Sequence, residues 1–572
     1  MQEKLLVLQN FFIISITKSV LTIYIRKKYD IIVCEITKIK ERLMDNRQTA
    51  GQNSGKKAVK TIGLMAVIIL LAKFMGLFRE TLVANIYGQG MESDILNTST
   101  QIPLLFFDMV LGAAILSTFV PIFNKYLQED GKAAAMSFAN NFVTIVGSVA
   151  VAAALIGVVF AEPIVHIMTP GYADVPGKLE QTACLLRILF PSVAFTAVAY
   201  ISVGILQSFG EFTIPSLISV VSNGVMILYL MLCGNRLGLT GVAVSMLIAW
   251  ALQLLIQIPW LKKFGFSYRF RFDLKDKGIR SAAAMAVPVL ISSWLQPLCS
   301  VINMSFGSGL GDGAVSALNW ANKIYIIMVG VFAYAITNFI FPKLSRLGGD
   351  NGNEGFVKIT RMSVGWILFI IIPVSALFLA LSPGVIRVVF ERGAFTADST
   401  AITAEALFYY SFGMAGYAVC EVLNKSFYAI QDGKTPMFTS AIGIAVNLAG
   451  AFLFTSVFKM GVGGLALAAA VSSLVIAVCL MIMINRRRRG IINKEFLINI
   501  LKTVICGCGA FLTAKLIYPL TAAMGSGTII TLVRLCIAAL PAMAVYAAAA
   551  YLLRVTEIYG CIKFISKRQG EQ

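Results

Sequence analysis

TIGLMAVIILLAKFMGLFRETLVANIYG (Thr61–Gly88) is long and apolar enough to cross a bilayer as a helix, yet it carries Lys73 near its middle and Arg79 and Glu80 six and seven residues further on. A hydrocarbon core about 30 Å thick takes about 20 apolar residues in helical form, and a cation at its centre costs roughly 2.5–3.5 kcal/mol on insertion scales. A helix that only had to span would not hold three charged groups at that depth. The stretch reads as a membrane helix lining an internal, water-filled cavity, and the sign of Lys73 and Arg79 makes the cavity's ligand anionic. At 1.5 Å per residue Lys73 is about 18 Å into the span and Arg79 about 9 Å further. The six-residue offset turns the two about 120° apart, and Gly76 between them allows a bend.

Outward from this stretch the whole chain has the same character. Its 572 residues are 58% hydrophobic and 13% charged, too apolar for a soluble protein of this length. About fourteen spans are expected, at 61–86, 94–124, 134–160, 180–208, 212–233, 239–261, 280–304, 313–342, 357–381, 399–429, 436–457, 462–484, 496–518 and 527–553. The fold class is an all-α polytopic membrane protein. The formal charge of +20 does not point to nucleic acid, because the cations lie in loops between spans, where they act as topology signals and as contacts to anionic membrane lipids. Loops after even spans hold Lys125 and Lys132, Lys262 to Lys277, Lys343 and Arg346, Lys434, and Arg486–Arg489. Loops after odd spans (YGQGMES, EPIVHIMTPGYADVPG, FGSGLGD, PLTAAMGSG) are nearly free of cations, with exceptions at Arg236, Arg387, Arg392 and Lys459. The positive-inside rule then puts both ends of the core in the cytoplasm.

Ten cysteines are scattered, mostly inside apolar runs, and read as packing residues. Cys506 and Cys508 form a C-x-C whose members point to different sides of a helix. The single histidine, His166, lies beside an interhelical loop and reads as interfacial. No cofactor, metal site or catalytic group is expected. Without a P-loop, a nucleotide fold or a large soluble domain, energy has to come from an ion or potential gradient or from the substrate's own gradient. Residues 1–56 are an N-terminal extension set apart from the core: an extra anchor, an interfacial helix, or sequence upstream of a start at Met44.

The chain repeats itself. YGQG (Tyr87–Gly90) leads to FVPIFNKYL (Phe119–Leu127), and FGSG (Phe306–Gly309) leads to FIFPKLSRL (Phe339–Leu347) at nearly the same separation. NRLGLTGVAVS (Asn235–Ser245) likewise resembles KMGVGGLALAA (Lys459–Ala469). Two six-helix lobes follow, 57–261 and 281–485, joined by a basic cytoplasmic linker, 262–280. Six is even, so the lobes are related by a pseudo-two-fold along the membrane normal. Two extra helices, 486–556, and a cytoplasmic tail, 557–572, lie outside the repeat. Lys323, beside Asn322 in ALNWANKIYIIMVG, is about 15 Å into span 8, so Lys73 and Lys323 lie at similar depth, one per lobe. Glu80, Asp94 and Asp108 are the acids positioned to pair with or orient these cations. A purely structural ion pair with Glu80 or Asp108 is the alternative. In span 10 Glu421 and Lys425 are spaced i,i+4 and could pair.

LAKFMGLFRETLVANIYGQGMESD, FVPIFNKY, TPGYAD, FERGAFTAD and FYAIQDGKTP, in this order, resemble the MurJ/MviN lipid II flippases of the multidrug/oligosaccharidyl-lipid/polysaccharide exporter superfamily. The resemblance covers roughly Lys57 to Arg554, and its most specific mark is FYAIQDGKTP (Phe427–Pro436), which holds Gln431, Asp432, Lys434 and Pro436. It implies fourteen helices in two lobes, a central cationic cavity and export of undecaprenyl-pyrophosphate-linked disaccharide-pentapeptide across the bacterial cytoplasmic membrane by alternating access. The chain is then a transporter, not an enzyme, and is expected as a monomer, with the cell-wall synthesis machinery as a further partner. The family's three cavity arginines match Lys73, Arg79 and Lys323, so two of them are lysine here, keeping charge and losing the bidentate fork. Asp108 stands in a segment that often bears arginine in relatives. Spans 13 and 14, with Lys515 and Arg534, correspond to the polyprenyl-tail groove. The sodium site of some relatives is not expected, since span 7 and spans 11–12 offer only neutral groups such as Asn303, Asn447 and Ser472. The alternatives are a flippase for another undecaprenyl-linked oligosaccharide, of capsule or teichoic type, then a drug/cation antiporter, then a non-transporting scaffold.

Overall fold

The structure, a computed structural model, describes residues 52–560 apart from 113–114, 235, 349–352 and 526; most of the N-terminal extension and the last twelve residues of the tail lie outside the described residues. Residues 1–71 and 72–572 form separate compact units, and each is taken by itself. In the first, the described residues belong to the start of helix α1 (Gln52–Tyr87).

Every described element is helical. After α1 come α2 (Met91–Phe107), two π-helical turns (Asp108–Gly112 and Ile115–Phe119), α3 (Val120–Glu129), α4 (Gly131–Val159), α5 (Ala161–Met168), α6 (Lys178–Leu189) and α7 (Ser192–Ser208). Then follow α8 (Thr213–Cys233), α9 (Gly238–Leu255), α10 (Ile258–Lys263), α11 (Lys277–Ser293), α12 (Leu295–Ser308), α13 (Ala314–Leu347) and α14 (Asn353–Phe390). The chain ends with α15 (Ala397–Phe412), α16 (Met414–Ala429), α17 (Lys434–Phe452), α18 (Gly461–Arg487), α19 (Lys494–Leu520) and α20 (Thr528–Leu552). Among the described residues ten helical segments are long and apolar enough to cross a membrane, or eleven if one bent pair counts as a single span. This is a multi-pass membrane protein. Each of the fourteen expected stretches falls on helix, but the count of fourteen is not reproduced by length and composition. The expected span 94–124 is interrupted by the two π turns, and 280–304 is broken at Trp294. The bent pair is α15–α16, which turns 48° at Gly413. There the Gly413 carbonyl accepts from Tyr417 N at 2.9 Å and also from Ser473 Oγ at 3.1 Å, and a Cβ at Gly413 would lie 2.7 Å from Ala470 Cα. The missing side chain lets α18 pack closely against the bend, and Ser473 adds a donor from that neighbouring helix.

Two large apolar cores hold the bundle, one centred on α2–α7 and one running from α13 through α18 that also takes in residues of α1, α2, α6, α8 and α9. A third explains the last two helices. Cys506, Ala510 and Ala514 on α19 and Ala538, Ala542, Tyr546 and Ala550 on α20 recur every four residues and are buried together with Ala376 and Leu381 of α14. Small residues at that period let helix backbones approach closely without a soluble-type hydrophobic drive. Gly507 is part of this fit, since a Cβ there would meet Ile372 at 2.4 Å. The outer faces keep Leu516, Leu520, Leu540 and Leu552 at least 70% exposed, as helices solvated by lipid do. Arg534 is turned inward to its own α19–α20 turn, donating to Thr521 Oγ1 at 3.1 Å and to the Gly525 carbonyl at 3.0 Å.

The FYAIQDGKTP stretch makes the α16–α17 turn. Gln431 takes φ 58°, and Asp432 accepts from Thr435 N at 3.1 Å and Thr435 Oγ1 at 2.7 Å while pairing with Arg487 at 3.2 Å. Lys434 opens α17 and Pro436 is buried in its first turn. Burial raises the Asp432 pKa, but the donors from Thr435 and the Arg487 charge outweigh it and hold the carboxyl below its usual range. A depressed carboxylate stabilises the fold above its unfolded pKa and stops doing so as pH falls through the folded value. Asp432→Asn keeps the cap and loses the ion pair, so a cost of no more than about 1 kcal/mol is expected at neutral pH. The gap in thermal midpoint between wild type and variant should close on acidification; a gap independent of pH would contradict this account.

Candidate functional site

α1 brings Arg79 and Glu80 against α13 and α8. The Arg79 guanidinium bonds to the Glu80 carboxylate and donates to Asn223 Oδ1 at 3.1 Å. Asn223 is oriented by its own amide, which donates to Ser219 O at 2.8 Å. Glu80 Oε1 is 2.8 Å from Lys323 Nζ, and its Oε2 accepts from Trp320 Nε1 at 3.3 Å. Trp320 and Lys323 are three residues apart on α13 and therefore share a face. The indole is fixed by Phe390 and Phe395, with ring centroids at 5.6 and 5.4 Å. One buried carboxylate thus collects donors from both halves of the chain, and two of the three predicted cations meet on it.

These cations remain reachable. The Arg79 side chain is 25% exposed and that of Lys323 36%, against 9% for Glu80. Lys73 is half-buried and, among the described residues, makes no hydrogen bond or ion pair. The local charge is net positive. A carboxylate between two cations cancels part of their repulsion, while leaving donor capacity on an arginine fork that suits a phosphate. Asn322, next to Lys323, faces a different way and lines a polar cavity of about 290 Å³ with Asn303, Asn447, Ser472 and Glu421. Ser472 Oγ donates to Gly443 O at 2.7 Å, and the buried Asn447 amide has no hydrogen-bond partner among the described residues. Glu421 is the one carboxylate among the residues lining that cavity. Lys425 is drawn toward the Phe341 ring, 5.7 Å from its centroid. Asp108 lies in the first π turn and pairs with none of Lys73, Arg79 or Lys323.

Asp94 has a separate role. It is fully buried on α2 and accepts from Gly313 N at 2.8 Å, Ser316 N at 2.8 Å and Lys178 Nζ at 2.9 Å. It therefore caps the N-terminus of α13, where unpaired amides and the helix dipole favour an anion. Lys178 also reaches Asp312 at 2.7 Å and lies 4.3 Å from the Tyr172 ring centroid; Tyr172 in turn bonds Thr98 at 2.8 Å. Gln89 donates to Gly313 O at 3.0 Å and accepts from Thr403 at 3.2 Å, and Ala394 N donates to Asn85 O at 2.9 Å. The backbones nearly touch: a Cβ at Gly88, whose φ is 63°, would lie 2.4 Å from Ala394 O, and one at Gly171 would lie 2.5 Å from Ser308 O. YGQG, TPGYAD, FGSG and RGAF are the segments that meet in one latch, at the opposite end of α13 from the Asp432 turn, where Arg488 bonds Gly348 O at 2.8 Å.

Lys178 was not among the cations singled out in the sequence. It follows VPG directly and has the look of a loop charge, but its side chain is 1% exposed and neutralised by Asp94 and Asp312. Trp320, Asn223 and Gln89 were also missed. Only Trp320 offered a signal, being an indole with a donor to satisfy in the same helical face as Lys323.

A family model described as lipid II flippase MurJ matches residues 83–537. The probable lipid II flippase MurJ of Rhizobium meliloti (strain 1021) is 28% identical over 414 residues, covering 71% of this chain and 77% of that protein. The one from Bdellovibrio bacteriovorus is 26% identical over 519 residues, covering 90% and 98%. Among solved structures, lipid II flippase MurJ in an inward closed conformation superposes with a TM-score of 0.71 at 22% identity, over 86% of this chain and 99% of that one. An inward-facing multidrug resistance MATE family transporter of the MOP superfamily gives 0.62 at 14% identity, over 75% and 98%.

Proposed function

Because the chain belongs to the MurJ lipid II flippase family, we propose that it carries lipid II, the undecaprenyl-pyrophosphate-linked disaccharide-pentapeptide, from the inner to the outer leaflet of the bacterial cytoplasmic membrane. The observation that carries this reading is the Glu80 junction: a partly exposed arginine from α1 and a partly exposed lysine from α13 held on one carboxylate, with Lys73 on α1 making no ion pair among the described residues. In the proposed cycle Arg79, Lys323 and Lys73 take the pyrophosphate, while the polyprenyl tail stays in lipid or along α19 and α20. The two lobes, 57–261 and 281–485, rock against each other, and the latch at Asp94 opens to release the headgroup. With both ends of the core in the cytoplasm, as the cation pattern of the loops supports, an inside-negative potential favours outward movement of net negative charge by about 2.3 kcal/mol per charge per 100 mV. The reaction needs no bond made or broken, only a change of side.

The test is depletion. In cells depleted of their lipid II flippase, lipid II accumulates on the cytoplasmic leaflet, and expression of this chain should return its level and the growth rate to normal. Persistent accumulation with the chain present in the membrane would overturn the assignment.

A further inference from the structure

Between α10 and α11 the basic segment is extended and fixed in register on α4 by two asparagines. Asn140 donates to Ser267 O at 3.2 Å and accepts from Arg269 N at 2.9 Å; Asn141 does the same with Asp273 O and N, both at 2.8 Å. Tyr268 Oη lies 3.1 Å from Thr144 Oγ1. This strap roofs a cavity of about 750 Å³ between α4, α7, α9 and α10, within the range of volumes that hold a small molecule. Its walls are apolar, with Val151, Val198 and Leu254 among them. The hydroxyls of Thr144, Ser148 and Ser202 do not change that, because each donates to a carbonyl of its own helix at 2.7–2.8 Å. Tyr268 and Phe270 stand at the strap, 54% and 77% exposed, as aromatic side chains at a membrane interface do. Lys262 is the one charged residue of the lining. It is exposed, as are its chain neighbour Lys263 and, on the strap, Arg269, and among the described residues Lys262 forms no ion pair.

We propose that this cavity binds one anionic glycerophospholipid of the surrounding leaflet, its acyl chain between α4, α7 and α9 and its phosphate on Lys262. An apolar slot ending in cations, with no carboxylate in its lining, matches an acyl chain joined to an anionic headgroup. A zwitterionic headgroup would bring its ammonium against Lys262, Lys263 and Arg269. The site is far in sequence from Arg79 and Lys323 and does not depend on the transport reading.

Native mass spectrometry of the full-length protein, titrated with phosphatidylglycerol or phosphatidylcholine, tests it. One phosphatidylglycerol should be retained at about a fivefold lower concentration than phosphatidylcholine. Lys262→Gln should abolish that preference. Gly147→Trp should remove retention of either lipid, since a Cβ at Gly147 meets only Val198 at 3.9 Å and the ring would fill the slot. Equal retention of the two lipids by the wild type, or a preference that survives both variants, would overturn the proposal. So would displacement of phosphatidylglycerol by polyprenyl phosphate at a lower concentration, which would assign the slot to substrate tail.

Discussion

Arg79→Ala should abolish rescue of flippase-depleted cells while the protein inserts at wild-type abundance. The separation of these two outcomes follows from the bonding at Glu80. Without the guanidinium, the carboxylate still has Lys323 at 2.8 Å and Trp320 at 3.3 Å, so no uncompensated buried charge is left behind. Asn223 still donates to Ser219 O at 2.8 Å, and the loss of one donor to its carbonyl oxygen costs about 1–3 kcal/mol at most. The ligand loses at least as much, at the group it is held by. A charge-assisted hydrogen bond to phosphate contributes about 1.5–3 kcal/mol, or roughly ten- to a hundred-fold in affinity, and with Lys73 and Lys323 as lysines Arg79 supplies the one bidentate fork in the set. Arg79→Lys should therefore rescue partially. If the cluster were only structural, Arg79→Ala and Glu80→Ala would lower membrane abundance together, and growth would track abundance in both. Normal growth with Arg79→Ala would remove Arg79 from the proposed site.

The cations were legible because a charge inside an apolar run has no bland local explanation: Lys73, Arg79 and Lys323 each interrupt a stretch that could otherwise simply span. Their grouping was expected from the matching depth of Lys73 and Lys323 and from the family resemblance, not from any local pattern. That Glu80 bonds Lys323 as well as its neighbour Arg79 depends on α1 lying against α13, a contact over more than two hundred residues that no periodicity encodes. Lys178 shows the same limit from the other side. Its burial requires Asp94, Asp312 and the Tyr172 ring to converge from three segments, and a charge count over loops treats such a residue as solvated or overlooks it. Glycines at or beside the quoted marks have a physical reason. At Gly88 and Gly171 two backbones come close enough that a Cβ would sit under 3 Å from a backbone oxygen, and at Gly313 a Cβ would sit 2.7 Å from the Gln89 side chain. Length and composition do not reproduce the count of fourteen where helices are interrupted, at the π turns after Phe107 and at Trp294, because an interruption is set by one or two residues and a run of apolar residues does not record it.

Loss of Asp94 should be the most damaging change at the latch, and its effect should extend well beyond one ion pair. The carboxylate is fully buried, and it serves two amides of α13 and one ammonium. Asp94→Ala leaves Gly313 N and Ser316 N without their acceptor and Lys178 with Asp312 alone. Breaking a buried pair by removing one member costs about 3–5 kcal/mol. If about 3 kcal/mol of that favoured the latched arrangement over an unlatched one, the ratio of the two would fall by roughly two orders of magnitude. Hydrogen exchange should then accelerate across 311–317 and in the segments that meet there, 85–95, 170–178 and 392–397, with little change at the Asp432 turn beyond the far end of α13. Unchanged exchange across 311–317 would show that Asp94 does not hold the latch. The double variant Asp94→Asn with Lys178→Met separates cap from charge. It removes both members of the buried pair, which is commonly near neutral for stability, and leaves Asp312 to solvent, where its side chain is already 47% exposed. Fold stability should return, but the anionic cap on α13 stays absent. If the latch works through that cap, rescue of depleted cells remains impaired in the double variant even though its abundance is normal. If rescue returns along with stability, the pair was structural and the latch rests on the Gly88–Ala394 and Gly171–Ser308 backbone contacts instead.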